Sequence, residues 1–410
     1  MPDRLRIGFI VGKDNDLVED LSFVGDRSFL VDLPSQFRVD PSTNTYLRKD
    51  AAADSGRVHV DVAIAWHIHK HNPDLEVDII CPGDISMERF KSNQFNYVLG
   101  YDAINAAFES PGRLRAVCDI FRGCGNMVPG WEFQEFVYFK SRYMNACIDA
   151  GIPMAPTVFA RIEDRSPSDL LEKVIARGWK RFVLKQSFSA FSIGFCRLSV
   201  EECQKDPSIL EGYFKEHVNC PEYLAQERID GFKNNWETRI FWFDGEFAYA
   251  IANKAAVSTE DGQEVIVTGD DIPAEFLENA KRIGREALKV LPRLVGADGQ
   301  RKGLPVVRTD IGCSEGVLFD NQTNWDPQRR TFFLNEIEYG GTNYFARHLK
   351  FDCVPLWSKL YAEKSRELCC QGSSEPCAKR QRVAGEEARV QPTPARSSRG
   401  CHPDATVSSS

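Results

Sequence analysis

The chain has 410 residues, enough for two or three domains with a buried core. Hydrophobic residues make up 42% and charged residues 27%, an ordinary globular balance, and the net charge of −8 lacks the basic excess of a general nucleic-acid binder. No apolar run approaches the roughly 18 residues of a membrane span, and the opening MPDRLRIGFIVGKDND lacks the apolar stretch and cleavage site of a secretory signal. The expectation is a cytoplasmic protein with neither a nucleic-acid nor a membrane partner. Thirteen cysteines, an odd number with no CxxC pair, read as reduced thiols.

Residues 5–11 (LRIGFIV) predict a buried strand ending at Gly12. Residues 25–57 are polar and irregular and read as an insertion or long loop. Residues 60–71 (VDVAIAWHIHKH) suit a helix, on which His67 and His71 share a face and His69 does not, so no metal site is assigned there. Residues 76–81 and 96–99 predict strands, each followed by a helix-compatible stretch. That alternation implies a parallel sheet, so 1–130 is expected to be a small α/β domain.

Residues 132–150 predict one amphipathic helix stopped by Gly151, with Pro153 and Pro156 beyond it. A helix over 167–177 and a strand over 181–185 follow, then a Ser/Phe-rich hairpin loop over 188–195. Strands are expected within 222–230 and 238–254, the latter folded at Asp244-Gly245. A helix over 273–291, strands over 304–311 and 331–338, and a helix over 352–365 complete the folded part. The expected divisions are 131–225 and 226–365. From 366 to 410 the chain is Ser/Pro-rich and too poor in large apolar residues to offset ordering entropy, which predicts a disordered tail. Its KRQR run reads as a solvated basic stretch, with a nuclear-localisation signal as the alternative.

The chemistry-bearing residues fall at strand ends. Glu336 and Glu338 are two apart on a strand and so point to one face, while Asp310 ends another apolar strand. Three convergent carboxylates need a cation, and hard oxygen ligands suit Mg2+ or Mn2+. Spacing alone leaves the alternative of separate surface carboxylates open. Lys185 closes the strand RFVLK and enters a loop of small residues, Ser189, Ala190 and Ser192 among them, whose backbone amides can approach anionic oxygens. No GxxxxGK[ST] and no GxGxxG after the first strand is present.

In their order these stretches resemble the ATP-grasp family, and within it the D-alanine–D-alanine ligases and related carboxylate–amine ligases. Residues 138–157 (YFKSRYMNACIDAGIPMAPT) are similar to that family's lysine-bearing helix and its G-I-P-x-P-T turn. Residues 184–195 (LKQSFSAFSIGF) resemble its second lysine and phosphate-covering loop. The resemblance implies that Lys140, Lys185, Ser189, Ala190 and Ser192 meet the nucleotide phosphates. It implies that Gln226, Glu227 and Ile229 line the adenine pocket, that Glu237 meets the ribose, and that Lys254 is a further phosphate-contacting cation. Arg308 to Asp310 resemble the family's R-x-D, and Glu336 to Glu338 its E-x-N. The metal ligands implied are Asp310, Glu336 and Glu338, with Arg308 on the acyl phosphate or oxyanion. The resemblance covers about residues 130–350. It departs at Glu338, where the family has Asn, at Ala190, where Gly is common, and in the longer spacing before Glu237.

The fold implied is an α/β (α+β) ATP-grasp fold, two α+β subdomains clamping ATP behind a small parallel α/β domain. The activity implied is an ADP-forming, Mg2+-dependent ligase joining a small-molecule carboxylate, such as an amino acid or peptide, to an amine. The alternatives are an ATP-grasp phosphotransferase and a catalytically weak ATP-binding regulatory protein. The oligomeric state is left open, a dimer included.

Overall fold

The structure is a computed structural model. It describes residues 4–11, 39–40, 45–46, 60–99, 111–161, 166–189, 194–217, 222–229, 235–254, 265–296, 298–315, 330–340 and 344–369. Most of the 25–57 insertion, the tail from Cys370 onward, and the loop residues Ala190 and Ser192 lie outside these.

The first sheet is built from β1 (Leu5–Ile10), β4 (Leu75–Ile80), β5 (Phe95–Val98) and β6 (Met127–Val128), all parallel, in the order β4-β1-β5-β6. The two-residue β2 (Val39–Asp40) and β3 (Thr45–Tyr46) pair with each other. Ile7 to Val11 are apolar in an almost unbroken run because a parallel strand is covered on both faces. The helices of this region are α1 (Val60–His71), α2 (Met87–Lys91) and α3 (Pro111–Gly123).

Residues 132–150 do not form one helix. They divide into α4 (Trp131–Tyr138) and α5 (Lys140–Asp149), separated by Phe139, whose backbone is extended and bridges Phe188. The apolar period runs on across the break, but the Phe139 and Phe188 rings pack with centroids 4.7 Å apart, and this tertiary contact overrides local helix preference.

The second sheet is antiparallel, in the order β7-β10-β8-β9: β7 (Thr157–Arg161), β8 (Arg181–Gln186), β9 (Cys196–Ser199) and β10 (Glu222–Glu227). With α6 (Pro167–Ala176), α7 (Val200–Lys205) and α8 (Ser208–Glu216) it holds its own core, including Leu170, Val174, Phe182, Leu184, Phe214 and Tyr223. Gln226 and Glu227 thus belong to the same sheet as Lys185, so a division after 225 cuts a strand. The buried residues of α4 and α5 join instead the large core shared by the first and third sheets.

The third sheet is antiparallel, in the order β13-β12-β11-β16-β17: β11 (Glu237–Phe243), β12 (Glu246–Lys254), β13 (Val265–Thr268), β16 (Val306–Glu315) and β17 (Arg330–Tyr339). A two-residue pair, β14 (Leu294–Val295) and β15 (Arg301–Lys302), lies before it in sequence. The β11–β12 hairpin turns at Asp244 (φ 52) and Gly245 (φ 87), the positive-φ pair that a two-residue turn of this hand needs. On one face lies α9 (Ala274–Val290). There the Trp242 Nε1–H donates to Thr309 Oγ1 at 2.9 Å, and a Cβ on Gly284 would sit 2.6 Å from the Trp242 ring.

The last helix, α10 (Cys353–Cys369), runs past the expected boundary at 366, because Leu368 is buried and Arg366 forms a two-pronged pair with Asp74 at 2.8 Å. It packs on α1, where Ser358 Oγ donates to the Ile64 carbonyl at 3.1 Å, so the chain returns to its first domain. No described helix is long and apolar enough to cross a membrane.

Candidate active site

Strand alternation places Arg308 and Asp310 on the face of β16 opposite to Thr309 and α9. Register then brings their partners to that face. On β17, Glu338 pairs with Arg308 and Glu336 with Asp310; on β11, Arg239 pairs with Asp310 and Phe241 with Arg308. Between Asp310 and Ile311 the register slips. Ile311 pairs with Leu334, and Asn335 is the extra residue of a bulge. The bulge aims Asn335 at the site, where its Nδ2 donates to Glu237 Oε1 at 2.8 Å.

Asp310, Glu336 and Glu338 each offer an oxygen within 4.8 Å of the others. Every one of these carboxylates faces a cation. Arg308 donates to both oxygens of Asp310 at 2.8 and 2.9 Å and pairs with Glu338. Arg239 Nε lies 3.7 Å from Asp310 Oδ2, and its other nitrogen donates to Glu237 Oε2 at 3.1 Å. Two lysines reach Glu336 Oε1: Lys140 from the first residue of α5 at 3.5 Å, and Lys185 from β8 at 4.0 Å. The second and third sheets therefore meet at this point.

Burial works against the charges, and the outcome differs by position. Burial first, then Asp310 and Glu336, push the Glu338 carboxyl up to about 7 despite Arg308. At Glu336 burial pushes the same way, but Lys140, Lys185, Arg308 and Arg239 outweigh it and hold the carboxyl near 2. Burial also lowers Lys185 against the pull of Glu336, and raises Glu237. Neighbouring carboxylates forced apart in this way mark a site where acidic groups are kept together at a cost, as functional sites do.

The remaining expected residues are placed as follows. Ser189 is buried, and its carbonyl accepts from Lys140 Nζ at 2.9 Å. Gln226 Nε2 donates to Thr157 Oγ1 at 3.2 Å, and the Glu227 amide donates to the Pro156 carbonyl at 2.9 Å. Ile229 is buried against Ala155 and Phe333, just past the end of β10. Glu237 is buried, with each oxygen already accepting one hydrogen bond. Lys254 is not brought to the cluster. Alternation puts it on the face opposite Asn253, which pairs with Glu237, and its ammonium rests 4.6 Å from the Trp236 ring centroid.

Three residues of the site were not expected from sequence: Arg239, Asn335 and Phe345. Phe345 has φ 55, a left-handed conformation rare for a bulky residue, and its ring carries the Arg239 guanidinium at 5.0 Å. Gly340, at the end of the acidic strand, has φ 72, and a Cβ there would lie 2.8 Å from the Val98 carbonyl oxygen, so glycine is required.

No protein-family model matches the chain, and no curated protein matches it. Solved structures do. D-cycloserine synthetase DcsG is 15% identical, over 88% of this chain and 99% of that one, with a TM-score of 0.56. D-alanyl-alanine synthetase A from Vibrio cholerae is 10% identical, over 90% and 99%, with a TM-score of 0.51. At these identities the likeness is one of fold. The chain has the ATP-grasp fold, with a parallel α/β domain in front of two antiparallel sheets that meet at Lys185 and Glu336.

Proposed function

We propose that the protein is an ATP- and Mg2+-dependent ligase that joins a carboxylate, such as that of an amino acid or peptide, to an amine through an acyl phosphate, releasing ADP and phosphate. One observation carries this reading. Lys140 and Lys185, from separate elements, converge on one carboxylate of an acidic triad. Phosphate transfer needs cations at the phosphate oxygens and a divalent ion, and this arrangement offers two lysines and three carboxylates that would hold such an ion.

The donor set fits the ion. Asp310, Glu336 and Glu338 offer hard oxygens at mutual reach of 4.8 Å, suited to Mg2+ and also to Mn2+. An ion held by these three carboxylates would supply neutralisation of phosphate charge. Lys140 and Lys185 are assigned to the phosphates. Gln226, Glu227 and Ile229 are assigned to the base; the Ile229 amide donates no hydrogen bond among the described residues, which leaves it available to a ring nitrogen. Glu237 is assigned to the ribose, and the loop through Ser189, Ala190 and Ser192 to the cover. Lys254 would reach the phosphates only by leaving the Trp236 ring. Arg308 holds Asp310 and Glu338 in a planar fork, and its guanidinium is assigned to the acyl phosphate or the tetrahedral oxyanion.

The test is ADP release with product mass spectrometry across amino acids, dipeptides and small carboxylates. A new amide with ADP and phosphate is the expected result. Phosphate left on an acceptor makes the protein a phosphotransferase. Absence of Mg-ATP binding removes the reading altogether.

A further inference from the structure

Helix α5 begins with Lys140, yet the residue before it, Phe139, has no side chain able to cap a helix. The cap arrives from elsewhere in the chain. Ser187, just past β8, accepts from the Ser141 amide through its Oγ at 3.1 Å, and its carbonyl accepts from the Lys140 amide at 3.0 Å. The Ser141 hydroxyl donates to Glu222 Oε2, and the Ser187 hydroxyl lies 3.2 Å from Ser141 Oγ and 3.4 Å from Glu222 Oε2. The Ser187 amide in turn donates to the Glu222 carbonyl at 2.8 Å. Two residues on, the Ser189 carbonyl accepts from Lys140 Nζ.

Lys140 is thus gripped at its amide, at its helix terminus and at its ammonium by one short stretch, 187–189. That stretch also roots the loop expected to cover the phosphates. Glu222 itself is carried by the central strand of the second sheet.

We infer that Glu222 is a positioning residue. Through Ser141 and Ser187 it locks the start of α5 to the exit of β8, so that Lys140 stands preformed between the loop root and Glu336. The inference rests on the assignment of Lys140 to nucleotide phosphates. Without Glu222 the helix loses the far end of its cap, and Lys140 must be ordered anew each time nucleotide binds.

The experiment is a double-mutant cycle on the dissociation constant of Mg-AMP-PNP, measured by calorimetry on the full chain. Melting temperature is recorded for each variant. Glu222→Ala is expected to weaken binding by about tenfold, as loss of an outer-layer partner does. Lys140→Ala weakens it too, and the double variant stays within about twofold of Lys140→Ala, because Glu222 acts through that lysine. Glu222→Gln, which still accepts from Ser141, stays close to wild type, and Ser141→Ala behaves like Glu222→Ala. Additive losses, or unchanged binding in Glu222→Ala, overturn the inference and leave the nucleotide site standing. Failure of the wild-type protein to bind Mg-AMP-PNP overturns both.

Discussion

The two faces of the five-stranded sheet are built from alternate residues of the same strands and obey opposite rules. On the back, Trp242 and Thr309 hydrogen-bond under α9, and Gly284 lets the helix approach as closely as backbone permits. On the front, Arg239, Arg308, Asp310 and Glu338 crowd charge against charge, with Arg308 and Asp310 buried. At Trp242, Thr309 and Gly284 the back face is packed as a core is. The front keeps acidic neighbours together against burial and mutual repulsion, an arrangement that packing alone would not retain. If the proposed function holds, stability belongs to the first face and chemistry to the second, and substitutions should separate them.

The largest separation is expected at Glu336. Glu336→Gln removes one carboxylate of the triad, a proposed metal ligand, and the shared partner of Lys140 and Lys185. Turnover should fall on the order of 10² to 10³, the scale for losing one preorganised electrostatic group. Circular dichroism and melting temperature should stay near wild type. Full activity in the folded variant would take Glu336 out of the site.

Next comes the planar fork. Arg308→Lys keeps the charge but cannot donate to both Asp310 oxygens and reach Glu338 together. Turnover is expected to drop by about 10- to 100-fold, with a higher Mg2+ requirement as the carboxylates lose their orientation. A variant with wild-type Mg2+ dependence would show that Arg308 does not orient the triad.

How much of this was legible in the sequence depended on which physical rule set each position. Glu336 and Glu338 were legible as a pair because strand alternation has period two, so they had to share a face wherever the strand lay, while Asp310 was set beside them by the resemblance of the stretch Arg308 to Asp310 to an R-x-D motif. Arg239 was not. It sits in TRIFWF, and only the pairing of β11 with β16 sets it opposite Asp310. Lys254 shows the same rule with the other result, since one step along a strand reverses the face. The break at Phe139 was hidden because the apolar period continues through it, and its cause, Phe188, lies far along the chain. Asn335 needed the bulge, which no local pattern announces.

The back face gives a test of opposite character. Gly284→Ala puts a Cβ 2.6 Å from Trp242 and 2.7 Å from Thr309 Oγ1. Overpacking of this kind costs about 1–3 kcal/mol, seen as a lower melting temperature or urea midpoint. The Michaelis constant for ATP, measured well below the melting temperature, should not move. A changed constant at unchanged stability would mean that the two faces are coupled through β16.

The smallest expected effect lies away from both faces, on α1, and it locates the acid sensitivity of the fold. Burial, then His71 and Lys70, lower His67 from 6.5 to about 4, and its ring packs 4.3 Å from that of His71. A histidine depressed in this way is neutral in the folded protein while the unfolded chain takes up a proton. Its contribution is therefore whole above pH 6.5 and is lost as pH falls toward 4. Because the ring is only half-buried, solvent screening reduces the effect to about 1 kcal/mol. Urea unfolding of the metal-free protein at pH 7 and pH 5 measures it, and His67→Gln should show a smaller loss between the two than wild type. An equal loss in both would move the acid sensitivity from α1 to another part of the molecule, with the crowded carboxylates of the front face the first place to look.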